Sequence, residues 1–477
     1  MMYTVVLVVC YMMSLISITT KASKINKIAL SIFNILLLCV HLLIWGFRAI
    51  LIPSYLIIII SIMSSIFKVV KKTDSKLMKR SKLIVNIKVS GIIVWFVVSL
   101  ITLYLFPNFS LPTPTGSFAI GTMAFEVTDT NREEFYTQEV GDHRKLMVQV
   151  WYPAEKDLNL DLQTYPKQVA EALNSVLNVP DWLFGYFSNI NTHTYIDAKV
   201  LPLDTKYPLI VFSPGNNSTR FQNTAVIEEL VSSGYVVIGV DHPYTSNDVA
   251  YTDGTIAYRS DGQLEVTSKD EFYEREINIR TEDLQFVIQY LKSDHLLTYA
   301  SEIVKQIDFD QVGMLGHSYG GATIVETMAR EPYIKVGVSY DGGLWGKAVE
   351  DGISQPLLYM SASQTLDYMD DTSIDNEETR SFVTSVVSNL KTMQDKSTKN
   401  FVFVLFEGYN HYSFTDIPLI SPLFQRSHQS VTTTIQYTKT FFDHYLKGSE
   451  SSDVYTLINE SNEATLIEDL KELDSLR

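Results

Sequence analysis

The stretch Gln311-Val312-Gly313-Met314-Leu315-Gly316-His317-Ser318-Tyr319-Gly320-Gly321 decides how the rest of the chain is read. It opens as a short apolar strand, passes through G-x-S-x-G, and runs into a helical stretch, Ala322–Arg330. A serine at such a corner stands in a strained, sharp turn where flanking side chains would collide, which explains the glycines at positions 316 and 320. The turn lifts the Ser318 hydroxyl above the sheet and aims the N–H of Tyr319 at a reacting oxygen. Five-residue patterns arise by chance; the strand before and the helix after give this one its weight.

Outward from that corner, short apolar runs alternate with amphipathic stretches. Strands are expected at Met147–Trp151, Leu209–Phe212, Tyr235–Val240, Gln311–Leu315, Lys335–Tyr340, Pro356–Met360 and Phe401–Phe406. Helices are expected near Phe221–Ser232, Lys269–Lys292, Tyr319–Arg330, Asn376–Asp395 and His428–Leu446. Several strands are continuous apolar runs, as in strands covered on both faces. The alternation predicts an α/β fold with a doubly wound, mostly parallel sheet. Ligands in such sheets sit at the carboxyl ends of the strands.

A serine hydroxyl needs a base, conventionally later in the chain. Only His411, His428 and His444 follow Ser318. The last two fall in a helical stretch, whereas His411 lies in the loop directly after Phe401–Phe406, at a strand's carboxyl end. The orienting acid has two positions open to it. Asp341 ends the strand Lys335–Tyr340 and is followed by Gly342-Gly343, a tight turn that holds a carboxylate at the strand tip. Asp367 or Asp370 would serve if the acid stood one strand later. The second oxyanion donor is expected after an early strand. There Leu209–Phe212 leads into Ser213-Pro214-Gly215-Asn216-Asn217, which makes the N–H of Asn216 the candidate. His242, in Asp241-His242-Pro243-Tyr244, precedes the nucleophile and is expected to contact substrate or to pack. The large apolar residues around Trp182 and Phe184 form either a lid over the core or an acyl-binding surface.

Taken together these residues resemble the platelet-activating factor acetylhydrolase family of the lipoprotein-associated phospholipase type, within the α/β-hydrolase superfamily. The likeness runs over roughly Ser117–Leu446. It rests on Val148-Gln149-Val150-Trp151-Tyr152-Pro153, on Tyr207–Gly215, on Gly316–Gly321, on Asp341 after its strand, on Gln355-Pro356-Leu357, and on His411 with Phe414 and Asp416 behind it. The resemblance implies an α/β-hydrolase fold and an acid on the strand after the nucleophile's helix, hence Asp341. It also implies short acyl esters, including sn-2 acetyl or oxidised short-chain phospholipids, as substrates. This chain has Pro214-Gly215 where the family often has a His-Gly pair in the oxyanion loop.

The chain has 477 residues, 46% apolar and only 19% charged, against about 25% charged in average soluble domains. The shortfall is local. Through Phe106 there are 12 Lys/Arg and one acid, Asp74, leaving 26 basic and 53 acidic residues beyond it. A +11 apolar head thus precedes a −27 body. That field has the wrong sign for nucleic acid. Cys10 and Cys39 both fall in the head, so the body holds no thiol for a disulfide, a nucleophile or a zinc site.

Four apolar stretches in the head (Tyr3–Thr20, Ile28–Phe47, Ala49–Phe67 and Val89–Phe106) each have the ~20-residue length of a membrane-crossing helix. They are separated by Lys21–Lys27, by Arg48 and by the basic Lys68–Lys88. Basic loops stay cytoplasmic, so the pattern predicts a multi-pass anchor in a bacterial cell membrane, with the N-terminus and the body outside. The expected organisation is a transmembrane anchor over 1–106, a Pro-rich linker over 107–116, a catalytic domain over 117–450 and an acidic helical tail over 451–477.

The resulting expectation is a serine ester hydrolase: Ser318 attacks, His411 takes the proton, Asp341 orients it, and the N–H groups of Tyr319 and Asn216 hold the oxyanion. Substrate would be an ester or phospholipid, with membrane lipids as further partners and no nucleic acid. No metal or organic cofactor is required. Alternatives are a general carboxylesterase or acyltransferase of the same fold, or a non-catalytic surface receptor on a hydrolase scaffold.

Overall fold

The computed structural model describes residues 9–12, 24–48, 51–70, 82–107, 109–137, 139–177, 183–259, 264, 269–293, 298–367, 377–397, 400–420, 427–450 and 453–474. They fall into two compact units. One gathers described residues of Met1–Phe109 and Asn178–Ile190; the other gathers those of Ser110–Leu177, Asn191–Ile420 and Phe424–Arg477.

The first unit contains helices α1 (Lys24–Trp45), α2 (Ile52–Val70) and α3 (Lys82–Leu105). Among the described residues no helix is long and apolar enough to cross a membrane. This overturns the expected four transmembrane helices, and with them the integral multi-pass placement of the chain. Most of Tyr3–Thr20 lies outside the described residues. An apolar run of about 20 residues reads alike whether protein or lipid covers it, and here part of the apolar content packs within the unit. Cys10, Leu51, Tyr55, Ile58, Ile62 and Leu103 form a small core. A polar seam crosses it: Ser99 Oγ bonds Tyr11 Oη at 2.9 Å and Ser54 Oγ at 2.5 Å, and His41 Nε2 lies 3.0 Å from Tyr55 Oη. Arg48, which the sequence places alone in a tight connection between two apolar stretches, is buried; it donates to the Phe106 carbonyl at 2.6 Å and stacks on the Tyr186 ring.

The second unit is built on an 11-stranded mixed sheet. Its strands are β1 (Ala119–Glu133), β2 (His143–Ala154), β3 (Leu162–Thr164), β4 (Asn191–Ile196), β5 (Tyr207–Ser213) and β6 (Val236–Asp241). A two-stranded hairpin, β7 (Val249–Ala250) and β8 (Ile256–Ala257), stands apart from it. The sheet continues with β9 (Ile307–His317), β10 (Val336–Tyr340), β11 (Leu357–Ala362), β12 (Phe401–Phe406) and β13 (Ala464–Ile467). The order is β13-β12-β11-β10-β9-β5-β6-β2-β1-β4-β3. From β6 through β5, β9, β10 and β11 to β12 every pairing is parallel. β2 is antiparallel to β6, and β13 is antiparallel to β12.

This central parallel block corresponds to the continuous apolar runs. β5, β6, β10 and β11 are buried at every residue, so no alternation survives in them. The C-terminal stretch, expected to be helical, carries a helix at Val454–Glu460 and then β13, which extends the sheet. Sequence reasoning did not find β1, β3, β4 or β13: they stand outside the block covered on both faces and mix polar with apolar residues.

Candidate active site

β9 ends at His317, and helix α4 (Tyr319–Arg330) begins two residues later. Ser318 between them has φ 55° and ψ −120°, a conformation that costs a non-glycine residue on the order of 1–3 kcal/mol. The turn is held by the Ser318 N–H donating to the Tyr340 carbonyl at 2.8 Å and by the Ala322 N–H donating to the Ser318 carbonyl at 3.1 Å. No side chain fits beside it. A Cβ on Gly316 would stand 2.2 Å from the Gly320 carbonyl oxygen, and one on Gly320 would stand 1.9 Å from that of Ser213. Tyr319 takes the first helical position, where a backbone N–H has no partner within the helix.

Asp341 follows β10 with φ 49°. Its Oδ2 accepts from His411 Nδ1 at 2.8 Å and from Thr365 Oγ1 at 2.5 Å; its Oδ1 accepts from the Ala362 N–H at 3.1 Å and Ser361 Oγ at 3.4 Å. Burial on its own would raise this carboxyl's pKa, but the bonds from His411, Thr365 and Ala362 outweigh it and hold the pKa below the usual value. With Nδ1 turned to Asp341, His411 keeps Nε2 for another partner. Its side chain remains 34% exposed.

Ser318 and His411 line one pocket of about 90 Å³ with Gly215, Asn216, His317, Tyr165, Asp416 and Ile417. Its apolar wall is Val169, Ala172 and Leu173, from the helix Lys167–Leu177. The loop after β5 is fixed on several sides. The Gly215 N–H donates to Gln222 Oε1 at 2.9 Å, the Asn217 N–H to the Thr245 carbonyl at 3.0 Å, and Arg280 Nη1 to the Pro214 carbonyl at 3.0 Å.

The structure thus brings Ser318, His411, Tyr319 and Asn216 to one place, with Asp341 behind the histidine. Asp367 closes the short helix Ser363–Asp367 and is exposed. His242 is not among the pocket residues. It is fully buried, with Nδ1 2.9 Å from Asp283 Oδ2 and Nε2 3.0 Å from Ser213 Oγ, and burial lowers its pKa to about 4. Phe184 is buried in the other unit against Phe106 and Phe187. Trp182 lies outside the described residues. Sequence reasoning missed Gln222, Thr365 and the His317 ring, whose roles depend on contacts between distant loops.

A parallel sheet with a serine elbow at the end of β9 and a His–Asp pair on the following loops places the chain among the α/β hydrolases. Within them it belongs to the family described as platelet-activating factor acetylhydrolase, isoform II, whose profile matches residues 104–436. Its relatives carry the names of an esterase and of acetylhydrolases. The chain is 27% identical over 272 residues to a probable 1-alkyl-2-acetylglycerophosphocholine esterase of Arthroderma benhamiae, covering 54% of this chain and 66% of that one. It is 25% identical over 286 residues to the platelet-activating factor acetylhydrolase of Bos taurus, covering 53% and 60%. The matches therefore span less than two thirds of these relatives' own length. Among solved structures, a ferulic acid esterase from Streptomyces cinnamoneus shares the fold with a TM-score of 0.58 and 24% identity, over 76% of this chain and all of that one.

Proposed function

We propose that the chain is a serine carboxylic ester hydrolase acting on short acyl esters, with sn-2 acetyl or oxidised short-chain phospholipids as its lipid substrates. Ser318 Oγ attacks the ester carbonyl while His411 Nε2 takes its proton; the tetrahedral oxyanion is held by the N–H groups of Tyr319 and Asn216. Collapse expels the alcohol, protonated by His411, and water then releases the acyl group by the same route. The observation that carries this reading is the 2.8 Å bond from His411 Nδ1 to Asp341, made by a histidine that shares a pocket with a serine held at φ 55°. The acyl preference draws on the family and on the size of the pocket. About 90 Å³ is well below the ~300–1,000 Å³ of sites that enclose larger ligands.

The test is Ser318→Ala, compared with the unmodified chain on p-nitrophenyl acetate and on a fluorophosphonate probe. The substitution should abolish both turnover and labelling. A wild-type chain that neither hydrolyses nor labels would remove the enzymatic reading.

A further inference from the structure

Two buried side chains that the triad does not use connect the oxyanion loop to the base. Gln222 Oε1 accepts from the Gly215 N–H at 2.9 Å, and its Nε2 lies 2.8 Å from His317 Nδ1. His317 Nε2 in turn lies 2.8 Å from the His411 carbonyl oxygen. One arrangement of protons satisfies all of these groups. The Gly215 N–H requires the oxygen of the Gln222 amide, so the NH₂ of that amide faces His317 and Nδ1 must accept. The single ring proton then sits on Nε2 and is donated to the His411 carbonyl. Burial, and then the neighbouring His411, lower the pKa of His317 to about 3, which keeps the ring in that neutral form.

The connection is close-packed. A Cβ on Gly215 would stand 3.2 Å from His317 Nδ1, 3.4 Å from Ser318 Cβ and 3.5 Å from Gln222 Nε2. The His317 and His411 rings lie 4.6 Å apart. His317 is also covalently next to Ser318. The three parts of the proposed machinery, namely the loop at Asn216, the serine corner and the loop at His411, therefore meet at one imidazole.

We propose that Gln222 and His317 are positioning residues that lock the oxyanion loop and the His411 loop into a common register, so that donor and base address the same carbonyl. This rests on the triad reading above. A misplacement of about 1 Å costs on the order of 10²-fold in rate, which sets the size of effect a loosened register would show.

The full chain would be assayed on p-nitrophenyl acetate, with fluorophosphonate labelling rates and thermal midpoints measured in parallel. Gln222→Leu removes both halves of the connection. His317→Asn keeps an acceptor for Gln222 and loses the donor to His411; His317→Gln keeps a donor for His411 and loses the acceptor. Gln222→Leu is expected to lower kcat roughly 10- to 100-fold with KM nearly unchanged, and to slow labelling by a similar factor. The two His317 variants should fall between it and the wild type. Folded variants with wild-type kcat and labelling rate overturn the proposal, as does a rise in KM at constant kcat. Should Gln222→Leu fail to fold, the His317 pair decides by the same criteria, since packing alone would shift their thermal midpoints and leave kcat intact. Failure of the wild-type chain to label would instead strike the triad reading.

Discussion

Asp341 and His411 are 70 residues apart in sequence and meet through a 2.8 Å hydrogen bond at the carboxyl ends of β10 and β12. Asp341 is fixed from its other sides by Thr365, Ala362 and Ser361. The carboxylate is therefore held before the histidine is considered, and its orientation dictates that of the ring.

Asp341→Asn should leave the fold intact and lower turnover by roughly 10⁴, the loss seen when a triad histidine is no longer held in the required tautomer. Asp367→Asn should change turnover little, because Asp367 is exposed at the end of its short helix. Steady-state kinetics of the two variants on one chromogenic ester checks both; a reversal would move the acid to the later strand.

The proposed Asn216 contribution comes from the backbone. Asn216→Ala should keep kcat within a few-fold of wild type, whereas Asn216→Pro, which deletes the N–H, should cost on the order of 10²–10³ in kcat. Equal losses in the two would assign the role to the side chain.

The tight pocket predicts a change in acyl preference on enlargement. Leu173 belongs to its apolar wall and is buried. Leu173→Ala should raise kcat/KM for butyryl and hexanoyl esters relative to acetyl. A ratio unchanged from wild type would mean that the acyl chain lies elsewhere.

Asp416 gives a pH dependence of stability. Burial, followed by the field of Glu228, raises its pKa to about 8, against the opposing bonds from Tyr165 and the Ala225 N–H. The folded chain thus retains a proton that the unfolded chain releases near the ordinary carboxyl value. This stabilisation is full at acid pH and is lost as pH rises from that value through about 8. Calorimetric midpoints of the wild type should drop more steeply between pH 5 and pH 9 than those of Asp416→Asn. Parallel profiles would show that Asp416 is ionised in the native state.

What was legible in the sequence follows from burial. β5, β6, β10 and β11 are covered on both faces and read as unbroken apolar runs, and the glycines around Ser318 mark a corner that tolerates no side chain. The outer strands, including β1 and β13, carry polar residues and gave no comparable signal. Asp341 and Asp367 both sit near strand ends; in the structure the bonds to His411, Thr365 and Ala362, and the exposure of Asp367, distinguish them. Gln222 is one glutamine ahead of a helix, with nothing local to mark it. The helices of the head misled for a related reason: apolar content does not state what it packs against, and Ser99, Tyr55 and Arg48 became interior partners only once α1, α2 and α3 were placed.

The two margins of the sheet are both short, three residues in β3 and four in β13. β13 lies along β12, at whose exit the Glu407 N–H also donates to the Glu463 carbonyl at 2.8 Å. Without that strand, the six residues Phe401–Phe406 would present an open row of backbone donors and acceptors bordered by phenylalanine, valine and leucine side chains. Such a border is a template for a neighbouring molecule's strand. The last strand of the described chain thus works as a selvedge: it keeps an aromatic, β-prone seam from fraying into aggregation, and a cut made ahead of Ala464 should show first as loss of monodispersity.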